Sequence, residues 1–275
     1  MKRTGIIFSF LGFALSLLAD DVKILEIGQP APEFELRGVD GRTYTLESFK
    51  DARVLMIVFS ANHCPTAQAY EERMNKLSAD YTPEKMQMVA ISSNHPMAVC
   101  IEELGYSDLG DTFEEMGIRA SEKGYNYPYL YDGDTQEVAL AYGAVATPHV
   151  FIFDEERRLR YRGRIDNMED PYREPTQSDA RNAIDALLAG KAVPVETTKA
   201  FGCSMKWKSK MAWREKLDEE WAAKPVEVNN IDLEGVKELL QNRSENIRLI
   251  NIWATWCGPC IIEFPELVEM QRMYG

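Results

Sequence analysis

Histidine is scarce in this chain, three residues in 275, and positive charge is outnumbered, 31 lysines and arginines against 44 aspartates and glutamates. The scattered His63, His95 and His149 do not favour a metal site, which draws on clustered ligands. A formal net charge of −13 repels phosphate backbones and argues against a nucleic-acid partner. The apolar run from Gly5 to Ala19 is too short to span a bilayer, and no cysteine near its end offers a site for lipid modification. Placed between Met1-Lys2-Arg3-Thr4 and Asp20-Asp21, that run reads as a secretory signal peptide over residues 1–19 rather than a retained anchor. Membrane contact is then expected only through the export signal. Export would put the five cysteines in the periplasm or another extracytoplasmic compartment, where disulfides persist unless a reductant is supplied.

What the chain does contain is Trp256-Cys257-Gly258-Pro259-Cys260, set between the apolar Leu249-Ile250-Asn251-Ile252-Trp253 and Ile261-Ile262-Glu263-Phe264. This pattern predicts a strand, a tight turn and the start of a helix. A cysteine at a helix N-terminus meets unpaired backbone N–H groups and the positive end of the macrodipole, which favour its thiolate. Cys257 is therefore the expected nucleophile, exposed at the helix start. Cys260, shielded one turn along, is placed to attack a mixed disulfide on Cys257 and release the reduced substrate. A Cys-x-x-Cys pair also ligates zinc, but no second Cys or His pair follows it here.

On this motif, with Glu263, Pro265 and Leu267 after it, the segment from about residue 226 resembles the thioredoxin-fold thiol-disulfide oxidoreductases, in particular their TlpA-like branch. The resemblance implies that Trp256 and Pro259 border the substrate site. A thioredoxin domain needs about 100 residues, so residues 226–275 are expected to be its N-terminal part. Its central strands and cis-proline loop would then lie beyond Gly275.

Upstream, Val54–Phe59 and Met86–Ile91 are continuous apolar runs of the kind found in buried central strands. Asp40-Gly41 marks a hairpin, and helices are predicted after Cys64 and over about 112–116, 136–142 and 178–188. Val150–Asp154 and Arg158–Ile165 read as an antiparallel pair. The alternation predicts an α/β mixed sheet with helices on both faces, in the order of the thioredoxin fold. Strand followed by cysteine at both Phe59–Cys64 and Trp253–Cys257 suggests two such modules in tandem, the second incomplete. The expected domains are 20–190 and 226–275, joined by a connector over 191–225.

The first module resembles the redoxin, or AhpC/TSA peroxiredoxin-like, proteins on its Pro-Ala-Pro-Glu-Phe opening, Asn62-His63-Cys64-Pro65-Thr66, Thr147-Pro148 and Tyr161-Arg162-Gly163-Arg164-Ile165-Asp166. Ala67 stands where a Cys-x-x-Cys helix carries its second cysteine. Peroxiredoxins bring a threonine three residues before the cysteine and an arginine that cradles peroxide; Ala61 and the Thr147-Pro148 loop stand in those places. Losing those donors removes transition-state stabilisation for a peroxidase. Thr147-Pro148 instead matches the cis-proline loop, whose outward backbone groups can pair with an extended substrate.

His63 is expected either to stabilise the Cys64 thiolate as a cation or to lie exposed at the turn. His149 is expected in the core, and Cys100 as an inert buried thiol. Cys203, in the connector, is the candidate resolving partner for Cys64. The expected activity is exported thiol-disulfide exchange without a cofactor, acting on protein thiols or disulfides and served by an upstream reductant. The competing readings are a thiol peroxidase and a catalytically degenerate first module that serves as a binding platform.

Overall fold

A computed structural model describes residues 22–100, 103, 109–168, 170 and 173–274. The expected signal peptide over 1–19 lies outside the described residues. The chain divides into two compact units, through Lys208 and from Ser209 onward.

The first unit is built on a sheet in the order β2-β1-β5-β4-β3-β7-β8, comprising β1 (Glu35–Gly38), β2 (Thr43–Thr45), β3 (Val54–Ser60), β4 (Met86–Ser92), β5 (Tyr129–Tyr131), β7 (His149–Phe153) and β8 (Leu159–Gly163). A further two-residue strand, β6 (Ala146–Thr147), precedes β7 and pairs with β9 (Cys203–Ser204). The centre is parallel across β3, β4 and β5, while β3–β7, β7–β8, β1–β5 and β1–β2 are antiparallel. Asp40-Gly41 turns the β1–β2 hairpin, with Gly41 at φ +82°, a conformation that costs glycine little. β5 is only three residues long, too short for its Tyr-Leu-Tyr to show a strand period in the sequence.

The apolar run of β3 is explained by burial on both sides, since every one of its residues is buried. Val54, Met56 and Val58 face a core made with Tyr70, Met74 and Leu77 of α1 (Pro65–Ala79), Met116 of α2 (Phe113–Glu122) and Ala180, Ala183 and Ile184 of α4 (Asp179–Leu188). Leu55, Ile57 and Phe59 face a second core with Val138, Ala139 and Tyr142 of α3 (Glu137–Tyr142). Each such side chain contributes about 1.5–3 kcal/mol when taken fully from water. This is a thioredoxin fold, a mixed sheet with helices on both faces.

Residues 191–208, expected as a connector, instead complete the first unit. Arg162 N donates to Glu196 O and Thr198 N to Arg162 O, Thr198 Oγ1 accepts from Arg164 N at 3.0 Å, and Met205 is buried in the core. Backbone pairing, which leaves little trace in composition, holds this polar segment in place.

The second unit contains α5 (Met211–Ala222), α6 (Leu233–Gln241) and α7 (Gly258–Tyr274). Asp232 caps α6, its carboxylate accepting from Gly235 N at 2.9 Å. The strand expected over Leu249–Trp253 does not form, because the described residues of this unit offer it no strand to pair with. None of the described helices is long and apolar enough to cross a membrane.

Candidate active site

Cys64 is the N-cap of α1, and Pro65 at the first helical position fits a site with no N–H to satisfy. The cap places Cys64 Sγ 3.4 Å from the amide of Ala67, which donates to it. In its thiol form Cys64 donates to the carbonyl of Thr147 at 3.1 Å. The Thr147–Pro148 peptide is cis. Both residues are buried, because β9 lies along Thr147.

Register decides which residue meets Cys64. Thr147 pairs with Cys203 and Ala146 with Ser204, so the Cys203 side chain packs on Cys64 and hydrogen-bonds to it. The hydrogen bond from Cys203 lowers the Cys64 pKa to about 5, against the opposing effect of burial, with the Thr147 side chain and the Ala67 amide also favouring the thiolate. The same bond, with burial, pushes Cys203 well up, so the shared proton resides on Cys203. Both cysteines are free thiols. Cys64 is fully buried at 0% exposure, whereas Cys203 is partly exposed.

His63 is not exposed at the turn. Its ring is buried, with Nδ1 2.6 Å from Asp111 Oδ2. An ionised carboxylate only accepts, so the proton of this contact sits on Nδ1. Asp111 also accepts from the amides of Asn62 (2.7 Å) and His63 (3.2 Å) and from Asn94 Nδ2 (2.8 Å). Asn94 Oδ1 in turn accepts from Lys206 N at 2.8 Å, and the buried Lys206 pairs through Nζ with Glu103. This network braces the turn before Cys64 against the segment that carries Cys203. Asp111, Asn94 and Lys206 escaped the sequence reading because each lies far along the chain from the residue it supports.

His149 is buried, and its Nδ1 accepts from Val145 N at 3.4 Å. Burial, with Arg162 nearby, lowers its pKa to about 4, which keeps it neutral. Cys100 is partly exposed rather than buried. Among the described residues no group of three or more His, Cys, Asp or Glu is placed to hold a metal ion.

In the second unit Cys257 and Cys260 form a disulfide with Cα atoms 5.3 Å apart, at the start of α7. Both cysteines are half-buried, so the expected contrast of an exposed Cys257 and a shielded Cys260 is absent; with no packed sheet beneath the helix, nothing shields one more than the other. Trp256 is exposed, and Pro259 lies in the first turn of α7.

The AhpC/TSA family model matches residues 27–162, which span the Cys64 turn, the cis-proline loop and most of the sheet. Residues 27–162 are an AhpC/TSA domain. A hypothetical protein from Sinorhizobium meliloti 1021 is 35% identical with a TM-score of 0.60, over 68% of this chain and 97% of that one. An uncharacterised conserved protein from Geobacillus kaustophilus is 40% identical with a TM-score of 0.58, over 66% of this chain and 93% of that one. The thiol:disulfide interchange protein DsbE of Yersinia pestis is 26% identical over 148 residues, 52% of this chain and 68% of the relative.

Proposed function

We propose that this chain, with its AhpC/TSA domain, is an exported thiol-disulfide oxidoreductase with two redox pairs, Cys64–Cys203 in the first unit and Cys257–Cys260 in the second. The observation that carries the reading is the Cys64 thiol at a helix N-terminus, hydrogen-bonded to Cys203 beside the cis Thr147–Pro148 peptide. Similarity to a protein named for thiol:disulfide interchange supports it. Closing either pair removes two electrons and two protons, which convert a partner's disulfide to two thiols; opening it does the reverse. The partners are protein thiols or disulfides and an upstream reductant. Export rests on the sequence of residues 1–19. Thr147 and Pro148 hold the first pair, and Trp256 and Pro259 border the second.

A peroxidase is the weaker reading for Cys64. Among the described residues its hydrogen-bond partners are Thr147, Ala67 and Cys203, with no arginine to stabilise a departing hydroxide. The test is a disulfide map of the full chain after treatment with oxidised glutathione. Peptides joined through Cys64–Cys203 and Cys257–Cys260 are expected, both opened by dithiothreitol. In a Cys64→Ser background, Cys257→Ser should bring dithiothreitol-driven insulin reduction down to the uncatalysed rate, since the second pair then has no attacking thiolate. Wild-type turnover in that variant, or Cys64 and Cys203 recovered as free thiols, would overturn the corresponding half of the assignment.

A further inference from the structure

Beside Cys64, Ala146–Thr147 presents a backbone edge of the kind on which an extended polypeptide docks. The protein's own β9 already occupies it: Cys203 pairs with Thr147 and Ser204 with Ala146. Gly202 makes the close approach possible. It lies at φ +138°, and a Cβ added there would overlap the Thr147 carbonyl oxygen and come within 3.3 Å of Pro148 Cδ. The segment is also anchored on its far side. Met205 is buried, Lys206 N donates to Asn94, and Lys206 O accepts from His95 N at 2.9 Å and from Gln136 Nε2 at 2.9 Å.

We propose that Gly202–Ser204 is a built-in occupant of the polypeptide-docking edge beside Cys64, so that outside thiols and disulfides exchange at Cys203. The inference rests on the Cys64–Cys203 pair proposed above and assigns the roles within it. An extended chain cannot add to a ladder position that is already filled. With Cys64 fully buried and Cys203 partly exposed, an incoming sulfur reaches Cys203 first. The first unit therefore selects thiols that need no backbone pairing, such as small thiols or a cysteine on a protruding turn.

The exchange balances as follows for reduction. An outside thiolate attacks Cys203 Sγ, the Cys64–Cys203 bond breaks, a mixed disulfide forms on Cys203 and Cys64 departs as a thiolate. A second outside thiolate attacks the outer sulfur of that mixed disulfide and releases Cys203, which takes up a proton. Two outside thiols become one disulfide, the protein disulfide becomes the Cys64 thiolate and the Cys203 thiol, and one proton is released to solvent. Cys64 suits the leaving role, because the sulfur with the more stable thiolate departs faster.

The test uses the full chain carrying Cys257→Ser and Cys260→Ser, with oxidised glutathione as the probe and peptide mapping as the readout. In the reduced protein, Cys203 in a further Cys64→Ser variant should be glutathionylated at least about tenfold faster than Cys64 in a further Cys203→Ser variant, since access governs which sulfur reacts. Adding Gly202→Ala to the Cys203→Ser protein should dislodge β9 and raise the Cys64 rate. In the parent and in the wild-type chain alike, hydrogen exchange should find the peptide over residues 201–206 protected like the central strands, a measurement that needs no change at Cys64, Gly202 or Cys203. Faster reaction at Cys64 than at Cys203, or unprotected exchange over 201–206, overturns this proposal while leaving the redox pair intact. If the parent shows no Cys64–Cys203 disulfide after oxidation, the pair fails and the proposal fails with it.

Discussion

The proton shared by Cys64 and Cys203 sets the pH behaviour of the first site. With its pKa lowered to about 5, chiefly by the Cys203 hydrogen bond, Cys64 is ionised across neutral pH. Its thiolate population is then flat between about pH 6 and 8. Cys203→Ala removes the largest favourable contribution and leaves burial, which opposes ionisation, so the midpoint should rise by about a unit or more. Thiolate ultraviolet absorbance of the reduced protein, with Cys257 and Cys260 as serine, reads this directly. A midpoint unmoved in Cys203→Ala would mean that the helix terminus and the Ala67 amide alone hold the thiolate. The nearness of Cys64 to Thr147, Pro148 and Cys203 was legible because a strand-then-cysteine junction, a Thr-Pro before a strand and an isolated cysteine each leave a local mark. The burial of His63 was not, since the Asp111 that holds it lies 48 residues away.

At the scale of elements, what could be read in advance was what is buried on both faces. β3 and β4 appear as apolar runs because helices cover the sheet above and below. Apolar content alone misled at Leu249–Trp253, where Ile252 and Trp253 are exposed and no neighbouring strand exists among the described residues. The opposite error fell on residues 191–208, whose polar composition suggested a connector although Thr197, Thr198, Cys203 and Met205 each have a fixed place on the first unit. A polypeptide of residues 22–208 should consequently melt as one transition. Ending it at Gly190 instead should lower the midpoint by at least about 5 °C, given that roughly 2–4 °C accompanies each kcal/mol in a domain of this size. Equal midpoints by circular dichroism would show that the segment adds nothing to stability.

Over the whole molecule, stability is distributed unevenly. The first unit holds two large cores, one on each face of its sheet, and among the described residues every buried one lies within it. The second unit has no buried residue among those described, and its helices leave Leu233, Leu240 and Ile262 exposed. Local opening costs little where few apolar contacts must be broken, so cleavage should begin there. The segment from Ala223 to Asp232 is exposed throughout and carries no helix or strand, which makes it the first accessible stretch after α5. Brief subtilisin treatment of the intact protein should therefore cut within residues 223–232 and leave a resistant fragment that retains Cys64 and Cys203. The Cys257–Cys260 disulfide closes too short a loop to protect that segment, so adding dithiothreitol should leave the first cut unchanged. Initial cleavage inside residues 22–208, or amides after Asp232 exchanging as slowly as those of β3, would sink this account.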